Sequence, residues 1–108
     1  MDQWHAFGLT LACEVPAMLL LARNQAVPRV LLAAVSVNCL THPMAWRMAM
    51  LLSPEEYRSG LWLIESGVVL VEAVWYRCWL RAPLHVALGW SVLANAASLG
   101  IGWLLWQA

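Results

Sequence analysis

Residues 84–106 read LHVALGWSVLANAASLGIGWLLW, a run with no acidic residue and no arginine. As an α-helix at about 1.5 Å per residue this run is about 34 Å long, enough to cross a bilayer hydrocarbon core of about 30 Å. A soluble protein hides such a segment under polar surface, and this chain has little to offer. It is 63% hydrophobic and 11% charged, against roughly 45–50% and about 25% in ordinary soluble domains, and a chain of 108 residues has too much surface for so few charges to cover. Working back from residue 84, three further apolar stretches of spanning length lie at about 60–80, 29–52 and 4–22. The first has no basic region before it and no small-residue cleavage site, so it is expected to be retained and not removed as a signal peptide.

Between the stretches stand Arg23-Asn24-Gln25 with Pro28, Ser53-Pro54-Glu55-Glu56, and Arg81-Ala82-Pro83. Each is a polar cluster with a proline suited to the start of the next helix. Loops this short force neighbouring helices antiparallel. The fold expected is therefore all-α: one transmembrane domain, residues 1–108, an antiparallel bundle of four membrane-spanning helices. Six arginines, no lysine and six acids leave no basic tract for a nucleic-acid backbone. Cys13, Cys39 and Cys78 are odd in number and form no C-x-x-C pair, so they are read as packing residues.

Arg23, Arg29, Arg77 and Arg81 flank the first and third loops. The positive-inside rule then places those loops in the cytoplasm of a cell with an inner membrane, and both termini outside. Trp4, Trp62, Trp103 and Trp106 fall near the outer ends and Trp79 near an inner one, as interfacial anchors. Arg47 lies inside the second stretch, so either it reaches outward or that helix stops near Pro43 and continues along the interface.

Glu14, Asn38, His42, Glu65, Glu72 and Asn95 lie within the apolar stretches, where an ionised side chain costs at least about 2.5–3.5 kcal/mol. Steps of three, four and seven residues put Thr10 and Glu14 on one face of the first helix, Asn38 and His42 on one face of the second, Glu65, Glu72 and Tyr76 on one face of the third, and Ser91, Asn95 and Ser98 on one face of the fourth. Lipid offers such groups no hydrogen bonds, so the four stripes are expected to face one another. Counting from the flanking arginines places Glu14, Asn38, Glu72 and Ser91 roughly 13–15 Å deep, and Thr10, His42, Asn95 and Glu65 roughly 20–24 Å deep. Two layers would thus form a polar track leading outward. Asn38 and Asn95 also suit helix–helix hydrogen bonding, and His42 suits a carbonyl freed by Pro43. Glu14 and Glu72 are harder to explain structurally, since an amide would serve as an acceptor and only a carboxylate can change its protonation state.

Glu14-Val15-Pro16, Asn38 through Thr41-His42-Pro43, the paired Glu65 and Glu72, and Asn95 through Ser98 together resemble a group of small four-helix bacterial membrane proteins. That resemblance covers nearly the whole chain and implies the fold but no activity. Leu11-Ala12-Cys13-Glu14-Val15 and Ser66-Gly67-Val68 also resemble, locally, the small multidrug resistance transporters, which carry a single essential glutamate in their first helix and small residues in their third; Glu14 would stand for that glutamate. The chain departs from that family in having Ile64-Glu65 where a tryptophan precedes the Ser-Gly, in the second glutamate at Glu72, and in its arginine bias.

These residues point first to a proton- or cation-coupled transporter or channel component, with Glu14 and Glu72 as the protonatable groups and His42 and Glu65 as the outward relay. A second expectation is a non-enzymatic accessory subunit of a larger membrane assembly, self-associated or packed on partner subunits, with His42 as a possible axial ligand to a pigment or haem. A third is an intramembrane metal site drawn from Glu14, His42, Glu65 and Glu72, although the Glu-x-x-His pairs of di-metal bundles are missing. Copper through Cys13, Met18, Cys39, Met44 and Met48 is weaker, because such residues at helical spacing usually pack. No catalytic residues and no firm cofactor are indicated.

Overall fold

The computed structural model describes residues 2–107, with side chains through Leu105. It consists of four helices, α1 (Gln3–Leu21), α2 (Val27–Met50), α3 (Tyr57–Leu80) and α4 (Leu84–Gln107), and no strand among the described residues. Helices α1, α3 and α4 are long and apolar enough to cross a membrane. Helix α2 matches them in length, at 24 residues, but carries Arg29, Asn38, His42 and Arg47.

The ends follow local chemistry. Asp2 caps α1, its carboxylate accepting the His5 backbone N–H at 2.8 Å. Helix α2 begins at Val27, two residues before the expected start, because Pro28 belongs to its first turn, where a missing N–H costs nothing. Pro54 does not begin a helix. It opens a turn in which the Ser53 N–H and hydroxyl both donate to Glu56, and α3 starts after it at Tyr57, earlier than the sequence suggests. The Pro83 carbonyl receives the first N–H groups of α4. Helix α2 passes through Pro43 without ending, so Arg47 sits exposed in its last turn, where a cation suits the negative end of the helix dipole.

Each helix packs against two others: α1 against α2 and α4, and α3 against α2 and α4, leaving α1 and α3 on one diagonal of a square. The bundle is 42 Å long, close to the full thickness of a bilayer with its headgroups, about 40–45 Å. Its packing is inverted relative to a soluble protein. Glu14, Asn38, Thr41, Glu72, Ser91 and Asn95 are buried, while Trp4 (79% exposed), Leu63 (75%) and Leu20 (72%) lie on the outside.

The two halves differ. Toward the end that carries Arg23, Arg29, Arg77 and Arg81, here the arginine end, the interior is solid: Met18, Val30, Val37, Tyr76, Leu80 and Trp90 fill it between closely approaching alanines such as Ala33, Ala34, Ala87 and Ala94. Toward the opposite end it is hollow. Cys39 and Cys78 are exposed and Cys13 is half-buried, all with free thiols, so the expectation that the cysteines pack in the core does not hold. Small apolar side chains are equally at home facing lipid, and position in an apolar run cannot tell the two faces apart. Trp4, Trp62, Trp79 and Trp103 are exposed near helix ends, whereas the side chain of Trp106 lies outside the described residues.

Candidate functional site

Glu14 on α1 and Glu72 on α3 lie in one buried layer, tied to α4 by donors one turn apart, Ser98 and Asn95, and sit close enough for their charges to interact. They are 2% and 0% exposed. Asn95 donates from Nδ2 to Glu72 Oε1 at 2.6 Å, and Thr41 donates from Oγ1 to Glu72 Oε2 at 3.2 Å. Ser98 donates to Glu14 Oε2 at 3.2 Å. Glu14 Oε1 is buried with no partner. Four carboxyl oxygens thus meet three protein donors, and the uncompleted position is at Glu14 Oε1. The one ion pair among the described residues is the exposed His5–Asp2 pair at the helix end, so no cationic side chain neutralises the glutamates.

This layer differs from the one that residue counting predicts, and side-chain direction explains why. In a helix every Cα–Cβ bond tilts toward the N-terminus. Helices α1 and α3 run toward the arginine end, so Glu14 and Glu72 lean away from it. Helices α2 and α4 run the other way, so Thr41, Asn95 and Ser98 lean toward it and meet the glutamates. Asn95 therefore joins the glutamate layer and not the outer one. Ser91, expected in the glutamate layer, instead donates to the Val69 carbonyl of α3 at 2.8 Å. Asn38 reaches the cavity floor but donates to Ala34 O of its own helix at 2.8 Å, so its amide N–H does not bridge helices. Thr41 is a contact that sequence reading missed, and Ser98, read only as part of the inward stripe of the fourth helix, proves to be the donor to Glu14. The one-turn spacings from Asn38 to Thr41 and from Asn95 to Ser98 were the available signal.

Glu14, Thr41, Asn95 and Ser98 form the floor of a cavity of about 660 Å³ that extends to the end opposite the arginines, lined there by Trp46, Tyr57 and Trp103, while Glu72 is buried behind the floor and does not line the cavity. Thr10, His42 and Glu65 line its wall, as the outward track anticipates. His42 lies 5.2 Å from the Phe7 ring and 6.1 Å from that of Trp46, centroid to centroid. Its Nδ1 is buried without a partner, so the bond to a carbonyl freed by Pro43 is not formed. Trp46 and Trp103 serve the cavity mouth as well as the surface. Below the floor, Tyr76 lies one turn from Glu72 on the same face of α3, close enough to both carboxyls to interact electrostatically, and its buried hydroxyl has no partner.

Among the described residues no three His, Cys, Asp or Glu side chains gather as a metal site. The four metal candidates are spread out: Glu14 lies on the cavity floor, His42 and Glu65 stand on its wall, and Glu72 is buried behind it. What the arrangement can do is hold one positive charge between two carboxyls and exchange it with whatever fills the cavity. Comparison with known proteins adds nothing to this geometry, since no family model, curated protein or solved structure matches the chain.

Proposed function

We propose that the chain is an integral protein of a bacterial inner membrane, that all four helices span it with both termini outside, and that the Glu14–Glu72 pair is the ion-binding centre of a proton- or cation-coupled transporter or channel component. One observation carries this reading: a buried carboxyl pair without a cationic partner, of which Glu14 lies on the floor of an interior cavity and Glu72 behind it. Two carboxylates this close at low dielectric do not both stay ionised. One shared proton completes the hydrogen bonding by filling the position at Glu14 Oε1, and a cation in the same place would satisfy the charge equally. Because the pair accepts only one of these at a time, exchange between them is the coupling. The inverted packing and the 42 Å length support insertion, and the four arginines at one end support a cytoplasmic orientation for that end.

Orientation is tested by placing single cysteines at either terminus of a Cys-free variant. An impermeant maleimide applied to the periplasmic side should label both, and protection of both would reverse the topology. Function is tested by proton uptake in vesicles containing the purified chain, read with an entrapped pH dye under an imposed potential. Uptake indistinguishable from empty vesicles, with and without alkali cations, would defeat the reading. In the same assay Glu65→Gln should slow uptake by no more than roughly tenfold, since Glu65 lines a cavity wide enough for water to take over the relay.

A further inference from the structure

At the arginine end a second cavity, of about 440 Å³, opens between α2 and α3 and is lined by Pro28, Arg29, Leu32, Cys78, Trp79 and Arg81. Its chemistry is graded along the bundle axis. At the rim are two exposed guanidinium groups, neither with a carboxylate partner among the described residues. The first turn of α2 adjoins them; it contains no acid and its N-cap, Ala26, offers no side-chain acceptor, so the positive end of that helix dipole is also unneutralised. One turn further along α2 and just before the end of α3 the lining is Leu32 and the Trp79 ring, both exposed on the outer surface. That wall is held in place: Trp79 stacks on Trp75 at 5.8 Å, and Trp75 Nε1 donates across the groove to Ser36 on α2 at 3.2 Å.

The placement of Arg81 is itself informative. It is the one described non-glycine residue with positive φ, at 55°, in the left-handed region at the end of α3, where glycine is the usual occupant. An arginine held there at a conformational cost is an arginine whose side chain serves that location. No acidic residue balances it, because Asp2, Glu55 and Glu56 lie at the opposite end, Glu14 and Glu65 line the interior cavity, and Glu72 is buried behind it.

The geometry points to a binding site for one anionic phospholipid, its phosphate on Arg29, Arg81 and the start of α2, and an acyl chain along Leu32 and Trp79. The inference rests on the proposal that the chain spans a membrane. A phosphate paired with two guanidinium groups is held by charge-assisted hydrogen bonds, and basic pockets between spanning helices on the cytoplasmic side are suited to anionic headgroups. A free phosphate would use the arginines but not the apolar wall beneath them.

The test is native mass spectrometry of the full chain released from detergent after incubation with phosphatidylglycerol or phosphatidylcholine, with membrane insertion checked separately by carbonate extraction. We expect one phosphatidylglycerol retained in preference to phosphatidylcholine, with retention weakened about fivefold by Arg29→Gln or Arg81→Gln and about thirtyfold by both. Arg23→Gln with Arg77→Gln, outside the groove, should leave it unchanged. Arg81→Gly separates binding from folding: it should match the thermal stability of the parent or exceed it, since glycine suits the backbone there, and still lose lipid. Equal retention of both lipids, equal loss in the Arg23/Arg77 variant, or displacement of the lipid by millimolar inorganic phosphate would each overturn the inference. An inserted chain that retains neither lipid would overturn it while leaving the proposed function standing.

Discussion

Glu72→Gln is expected to leave the bundle folded and to reduce proton uptake by roughly a hundredfold or more, the usual scale for loss of a positioned proton-transfer group. The substitution keeps the shape of the side chain and keeps an oxygen for the 2.6 Å bond from Asn95. What it removes is an ionisable group that no cationic side chain balances. Removing half of an uncompensated buried charge pair does not destabilise a protein in the way that breaking a salt bridge does, so the thermal midpoint should stay level or rise. Glu14→Gln should behave alike, because neither carboxyl alone forms the shared site. Two linked titration steps in the parent should become one step in either variant. Unimpaired uptake in both variants would mean that the glutamates serve only as acceptors, and the accessory-subunit reading would then lead.

The second large effect concerns the solid half of the bundle. Tyr76 is fully buried between the glutamate layer and the apolar packing of the arginine end. Tyr76→Ala deletes a ring from a close-packed site, which costs about 3–5 kcal/mol in comparable aromatic truncations. It also opens the floor of the cavity toward the arginine end, so the variant should leak protons faster than the parent. Tyr76→Phe removes only a hydroxyl that has no partner, and such a change is nearly neutral or slightly stabilising. Thermal unfolding in detergent and passive proton leak from vesicles would check the pair. Equal stability loss in both variants would show that the hydroxyl is bonded in the membrane, and an Ala variant that leaks no faster than the parent would show that the seal lies deeper.

The helices were legible because an uninterrupted apolar run such as residues 84–106 offers its backbone no polar partner but itself, as it would in lipid, and the Pro-containing polar clusters mark where runs stop. The inward stripes were legible for the same reason, and Glu14, Asn38, His42, Glu65, Glu72 and Asn95 all border the interior. Depth was not. A count along the axis treats side chains as perpendicular, whereas antiparallel helices lean them in opposite directions. That lean moved Asn95 into the glutamate layer and brought in Ser98 and Thr41. Nor does periodicity reveal that one half of the bundle is solid and the other hollow, because this depends on which side chains of different helices gather into the buried apolar cluster, alanines such as Ala33 and Ala87 among them. The groove at Arg29 and Arg81 was hidden for a related reason: the two residues are far apart in sequence and meet only because α2 begins where α3 ends.

A proton shared by the Glu14–Glu72 pair at neutral pH is read directly by infrared difference spectroscopy of the carboxyl C=O stretch in reconstituted protein. The parent should show a protonated buried carboxyl that exchanges with solvent deuterium through the open cavity and that loses the intensity of one carboxyl in the Glu14→Gln/Glu72→Gln double variant. A folded parent with no protonated carboxyl band when alkali cations are absent, or a band that the double variant leaves unchanged, would contradict it.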